Sequence, residues 1–137
     1  MDLVTQGITG AALAQAVAPA RLGRQAALVG LCAGLLPDAD ALISSAADPL
    51  LQLEYHRHFT HALVFIPFGS LLAAALLWPF FRGRMLFRTL WIFAVCGYAT
   101  GGLLDACTSY GTHLFWPFLS EPIAFSLIAI VDPVFSL

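Results

Sequence analysis

The chain has 137 residues, of which 60% are hydrophobic and only 10% are charged, and its formal net charge is -2. Soluble globular domains usually carry about 25% charged residues, so this composition excludes an ordinary water-soluble domain. All the basic residues are arginines, and the small negative net charge provides no basic field for a nucleic acid. The sequence therefore predicts one membrane-embedded helical domain over residues 1–137, surrounded by membrane lipid and without a nucleic-acid partner.

Two segments rich in Ala and Gly open the chain, at residues 3–18 and 25–36. Small residues let helices approach closely in lipid, where packing and not hydrophobicity drives helix association. We therefore expect a helical hairpin that turns between Pro19 and Arg24 and packs on the longer spans that follow.

The clearest membrane span covers residues 59–81, which contain no Asp, Glu, Lys or Arg. Its length suits a hydrocarbon core of about 30 Å, and Pro67 is expected to kink the helix. A second span, residues 89–104, closes at Asp105, and the tail at residues 123–137 is apolar again. The predicted fold class is all-α, an integral membrane bundle of about four helices plus a short C-terminal apolar segment.

The arginines orient this bundle, because cytoplasmic loops of membrane proteins carry an excess of Lys and Arg. Five of the six fall in the two turns that join the predicted helices: Arg21, Arg24, Arg82, Arg84 and Arg88. Both turns are therefore predicted to be cytoplasmic. The segment between residues 37 and 58 and the segment after residue 105 then lie on the opposite side of the membrane.

Asp and His residues gather on the side opposite the arginine turns. The group consists of Asp38, Asp40, His56, His58, His61 and Asp105. An extended Asp-x-Asp stretch after Pro37 places both carboxylates on one side, and His58 and His61, three residues apart, share a face of a helix that begins near them. Carboxylate with imidazole suits zinc, manganese or iron, so the pattern favours a divalent metal site. The simpler alternative is that these side chains only occupy the polar membrane interface.

Five motifs, in this order and spacing, resemble those of a known family: TQGITGAA, LPDAD, EYHRHFTHAL, LLDACTSYGT and FWPF. From about residue 4 onward the chain resembles the membrane-bound metal-dependent hydrolases, also described as LexA-binding, inner-membrane-associated hydrolases. That family is distantly similar to zinc-dependent phospholipase C and the P1-type nucleases.

The resemblance implies a multi-pass protein of the bacterial inner membrane that hydrolyses a phosphoester or a lipid at the non-cytoplasmic face. It implies a divalent metal, zinc or else manganese, with these ligands: Asp38, Asp40, His56, His61 and Asp105. It also implies catalytic roles for Arg57 and His58, in which the Arg57 guanidinium steadies a phosphate oxygen.

The chain departs from the family pattern at three positions. Gly101 stands where the H-x-x-x-D pattern has its His, four residues before Asp105, and Ala62 stands where Ser often follows Thr-His. His113 lies where relatives are expected to have Gln, and it is a candidate for the missing imidazole. These departures keep a second hypothesis open, a catalytically degenerate accessory subunit that packs against other transmembrane subunits of a larger complex.

Overall fold

The computed structural model describes residues 2–42, 59–109, 111–119 and 121–127, and for residues 40–42 it describes the backbone alone. In this part of the chain four α-helices form a bundle: α1 Leu3–Ala16, α2 Gly23–Leu35, α3 Ile66–Phe81 and α4 Phe87–Ala106. The remaining regular structure of the described residues consists of short 3-10 turns and one isolated β-bridge. The all-α prediction is confirmed.

The first two helices form the predicted hairpin, and α4 packs against both of them and against α3. Asp2 caps the start of α1, because its carboxylate accepts a hydrogen bond from the Thr5 backbone N–H at 2.9 Å. The hairpin turns earlier than predicted, since α1 ends at Ala16 and Pro19 disfavours a helical conformation at the residue before it. A 3-10 turn, Ala20–Leu22, leads into α2.

The predicted kink at Pro67 is wrong. The stretch predicted as one helix, residues 59–81, consists of two 3-10 turns, Phe59–His61 and Leu63–Phe65, followed by α3 with Pro67 in its first turn. Proline fits there because the first N–H groups of a helix have no partner within the helix, so the missing donor is not needed. The helical run Leu63–Phe81 and α4 are both long and apolar enough to cross a membrane.

Small residues lie inside the bundle and large apolar residues lie outside. Most of the buried core is alanine, namely Ala14, Ala26, Ala33, Ala73, Ala74 and Ala94. On α3, by contrast, Phe68, Leu72, Leu76 and Phe80 are 56–74% exposed, and only 22% of the apolar window in Leu63–Phe81 is buried. A core helix of a soluble protein would be mostly buried, so this distribution indicates a lipid environment, in which close packing holds helices together.

Three glycines allow α1, α2 and α4 to meet at backbone distance. A Cβ atom built on Gly10 would lie 2.6 Å from the carbonyl oxygen of Gly30, and one built on Gly97 would lie 2.8 Å from the Gly30 Cα. Real Cβ atoms essentially never come this close to other heavy atoms. A side chain at any of these three positions would therefore force the helices apart.

The segment after α4 returns along the end of the bundle where α4 finishes. The backbone N–H of Phe125 donates to the carbonyl of Ala106 at 2.8 Å, and Thr112 and Ile123 exchange two backbone hydrogen bonds. Residues 123–127 therefore do not form a helix, and residues 128–137 lie outside the described part of the chain.

Gly30→Ala is expected to lower the unfolding temperature of the detergent-solubilised protein, because the added methyl group meets the backbone of α1. The expected loss is about 1–3 kcal/mol of the free energy of unfolding. Gly83→Ala is the matched control, since a Cβ at Gly83 meets nothing within 4 Å. Circular dichroism during heating measures both variants, and equal unfolding temperatures would contradict the close packing of the three helices.

Candidate metal centre

One end of the bundle carries the two 3-10 turns that hold the predicted polar residues. The turn Pro37–Leu42 follows α2 directly, and the turn Phe59–His61 packs against it and against α4. These turns carry Asp38 and His61, and the last turn of α4 carries Asp105. The arginine turns lie at the other end, where α1 and α3 finish and α2 and α4 begin.

One imidazole nitrogen lies between two carboxylates at this end. His61 Nε2 is 3.3 Å from Asp38 Oδ1 and 3.2 Å from Asp105 Oδ2. The side chains of His61 and Asp105 are fully buried, whereas that of Asp38 is 10% exposed. One ligand atom from each of the three residues lies within 4.8 Å of the others. Asp38 is therefore the outward-facing edge of an otherwise enclosed group.

The turn that carries His61 is held against α4 by its backbone. The Tyr98 hydroxyl donates to the carbonyl oxygen of Thr60 at 2.9 Å, and Gly102 lies so close to the carbonyl of His61 that a Cβ there would overlap it. Thr60 Oγ1 lies 3.0 Å from His61 Nδ1. A hydrogen bond at one ring nitrogen of a histidine fixes the ring and directs the other nitrogen, so Nε2 is directed at the two carboxylates.

The geometry of this group favours a cation between its three atoms. A single Nε2–H donates well to only one carboxylate, and both distances exceed the roughly 2.7–2.9 Å of charge-assisted N–H···O bonds. Ligand atoms about 2.1 Å from a tetrahedral zinc ion lie about 3.4 Å from one another, close to the 3.2 Å and 3.3 Å found here. One imidazole with two carboxylates is also a donor set that suits zinc or manganese. The residues present therefore fit a divalent metal.

A buried glutamine on α1 adjoins this group. Neither polar atom of the Gln6 amide has a hydrogen-bond partner among the described residues, although the side chain is wholly buried. A Cβ built on Gly101, one helical turn before Asp105, would lie 3.8 Å from Gln6 Oε1 and 3.1 Å from Pro37 Cγ. Gly101, which stands where the pattern of the membrane-bound hydrolases has a His, thus faces the Gln6 amide and Pro37.

Sequence reasoning misses Gln6, because the motif TQGITGAA is typical of closely packed membrane helices. A signal is nevertheless present in the sequence. An amide side chain is costly in an apolar helix unless it finds a hydrogen-bond partner, so Gln6 near the start of a segment rich in Ala and Gly is a candidate polar site.

The structure brings together three of the five predicted ligands, namely Asp38, His61 and Asp105. The side chain of Asp40 and the whole of His56, Arg57 and His58 lie outside the described residues. Their ligand and catalytic roles remain predictions. The candidate replacement imidazole, His113, is not a member of the three-residue group.

The extended conformation predicted for the Asp-x-Asp stretch is wrong. Residues Pro37–Leu42 form a 3-10 turn, and the Ala39 N–H donates to the Leu36 carbonyl at 3.0 Å. The fixed φ of proline suits such a turn.

Comparison with known proteins identifies the family. A profile of the family described as YdjM inner membrane protein matches residues 1–137. The chain belongs to the YdjM inner membrane protein family. Its membership confirms the inner-membrane prediction, whereas the number of membrane crossings and their orientation remain predictions.

Two relatives are similar over most of this YdjM-family chain. It is 32% identical over 118 residues to the inner membrane protein YbcI of Escherichia coli (strain K12), a match that covers 82% of the chain and 62% of YbcI. It is 28% identical over 97 residues to protein YfhP of Bacillus subtilis (strain 168), covering 71% of the chain and 29% of YfhP. The matches thus span less than two thirds of the length of each relative. No solved structure matches the chain.

Gln6→Leu is expected to leave the unfolding temperature of the metal-free protein unchanged or to raise it. The substitution removes an amide whose burial costs about 1–3 kcal/mol when no hydrogen bond offsets it. Gln15→Leu is the matched control, because Gln15 is exposed on the same helix. A large drop in unfolding temperature for Gln6→Leu alone would mean that the amide is hydrogen-bonded in the folded protein.

Proposed function

We propose that this protein is a metal-dependent hydrolase of the inner membrane, which binds zinc through Asp38, His61 and Asp105 and cleaves a phosphoester at the membrane surface. The observation that carries the proposal is the convergence of two carboxylates on His61 Nε2 at 3.2 Å and 3.3 Å, in a largely buried group. The resemblance of the chain to membrane-bound hydrolases is the basis for the proposed phosphoester hydrolysis. The membership of the YdjM family supports the location in the inner membrane.

The three donors among the described residues match a catalytic rather than a structural role. Catalytic zinc sites have three protein ligands and keep a position for water or substrate, whereas structural sites have four protein ligands. Bound zinc would supply an activated water and polarise a phosphoryl oxygen. Asp40 and His56, whose side chains lie outside the described residues, stay the predicted candidates for a further ligand.

The residues of the proposed site have different roles, which follow from how deeply each is buried. Asp105 is fully enclosed and anchors the site on α4, while Asp38 lies at the partly exposed edge by which a substrate reaches the group. Thr60 orients the imidazole of His61. The Gln6 amide offers an NH₂ donor group and a carbonyl acceptor beside Gly101, where it holds a water molecule or a substrate oxygen in place of the absent His.

The alternative proposal is an accessory subunit of a larger membrane complex that has lost catalysis. Gly101 at the usual His position favours it, because a His and an Asp four residues apart on one helix face would serve the same metal. The two proposals differ in one measurable property, the presence of a bound metal.

We expect the purified protein, loaded with zinc and desalted, to hold about one zinc per chain and to hydrolyse bis(p-nitrophenyl) phosphate. His61→Gln is expected to bind zinc more than about a hundredfold more weakly, because even changes beside a metal ligand cost about 10–100-fold. His113→Gln is the matched control, since His113 lies outside the three-residue group. Elemental mass spectrometry gives the zinc content and absorbance gives the hydrolysis rate.

Two results would count against the hydrolase. A wild-type zinc content equal to that of His61→Gln would overturn the metal site and leave the accessory subunit. Bound zinc without hydrolysis of any phosphoester tested would overturn the reaction and retain only the metal site.

Thr60→Val is expected to weaken zinc binding about tenfold, because it removes the hydroxyl that orients the His61 ring. Thr9→Val is the matched control, since the Thr9 hydroxyl donates to the Thr5 carbonyl within α1 at 2.7 Å. Competition with a fluorescent zinc chelator measures both affinities. Equal affinities in the two variants would exclude an orienting role for Thr60.

A further inference from the structure

An open cleft of about 680 Å³ lies at the end of the bundle opposite the candidate metal centre. The turn between α1 and α2 contributes Arg21 to its lining, and the first turn of α2 contributes Gln25. The turn between α3 and α4 contributes Arg82 and Arg84, with Thr89 on α4 beside them. The cleft therefore places the two arginine turns next to each other.

The cleft carries positive charge that the described part of the protein does not neutralise. The guanidinium-bearing residues Arg21, Arg82 and Arg84 are exposed, and none of them forms an ion pair with a described carboxylate. Asp38 and Asp105 lie at the other end of the bundle. Guanidinium groups bind phosphate oxygens through paired N–H donors, and Gln25 and Thr89 add neutral hydrogen-bonding groups. The chemistry of the cleft thus suits a phosphate group.

The surroundings of the cleft indicate that this phosphate belongs to a lipid. Leu86 lines the cleft and is 76% exposed, and Phe80, near the end of α3, is 74% exposed. These side chains continue the apolar outer surface of α3 and α4, which is the surface that meets lipid. Basic pockets between membrane helices on the cytoplasmic side are typical binding sites for anionic headgroups.

We infer that this cleft binds the phosphate group of an anionic phospholipid, with the acyl chains lying along the apolar surface of α3 and α4. The binding holds the two arginine turns together at the membrane surface. It is independent of the proposed zinc site, because the cleft and the three-residue group share no residue.

The test uses the full-length protein in a nonionic detergent, with phosphatidylglycerol as the anionic probe and phosphatidylcholine as the zwitterionic one. Native mass spectrometry measures the affinity for each lipid. The cleft variant is Arg21→Gln with Arg84→Gln. The matched control is Arg24→Gln with Arg88→Gln, which removes the same charge from the first turns of α2 and α4, at positions outside the cleft lining.

The wild type and the matched control are expected to prefer phosphatidylglycerol, and the cleft variant is expected to bind it at least about tenfold more weakly. Equal losses in the cleft variant and the control would overturn the site, because charge alone would then explain binding. Displacement of the lipid by millimolar inorganic phosphate would assign the cleft to free phosphate and overturn the lipid ligand. The single variants Arg21→Gln and Arg84→Gln, each expected to lose severalfold, keep the test decisive if the double variant does not fold.

Discussion

The contact between the backbones of α1, α2 and α4 at Gly10, Gly30 and Gly97 determines the rest of the structure. Helices separated by ordinary side chains lie about 8–10 Å apart, and these three approach until a Cβ atom no longer fits between them. Asp38 lies in the turn that follows α2 and Asp105 lies in the last turn of α4, so this close approach brings the two carboxylates near enough to share one imidazole nitrogen. The same contact buries Gln6 on α1 beside Gly101. The candidate centre is a consequence of how closely the helices pack.

Much of this arrangement follows from the sequence. Apolar runs predict the four helices, the arginines predict which ends share a side, and Asp38, His61 and Asp105 then fall together at the other end. Local conformation is harder to predict. A proline after an apolar residue is compatible with a kink or with a helix start. Pro67 is a start because the chain before it forms 3-10 turns, of which Phe59–His61 packs on α4. The burial of Gln6 is likewise not predictable from its neighbours in α1, because it depends on the packing of α2 and α4 against that helix.

The two ends of the bundle have opposite chemistry. One end directs two carboxylates at a buried imidazole, which suits a cation, and the other arranges three arginines around an open cleft, which suits an anion. The Asp and His end is enclosed by 3-10 turns and by the Tyr98–Thr60 hydrogen bond, whereas the arginines extend into solvent. Partners of the first end must reach a nearly closed group, while partners of the second can exchange with the surrounding membrane surface.

The alanine interior and the large apolar exterior of the bundle separate two stages of assembly. Insertion of the two candidate membrane spans, Leu63–Phe81 and α4, depends on the large apolar side chains on their outer surface. Association of the inserted helices depends on the alanines and glycines between them. A sequence change on the outer surface therefore alters whether a helix enters the membrane, and a change in the interior alters whether the inserted helices find one another. Sequence variation can therefore change membrane insertion without changing helix association, and the reverse.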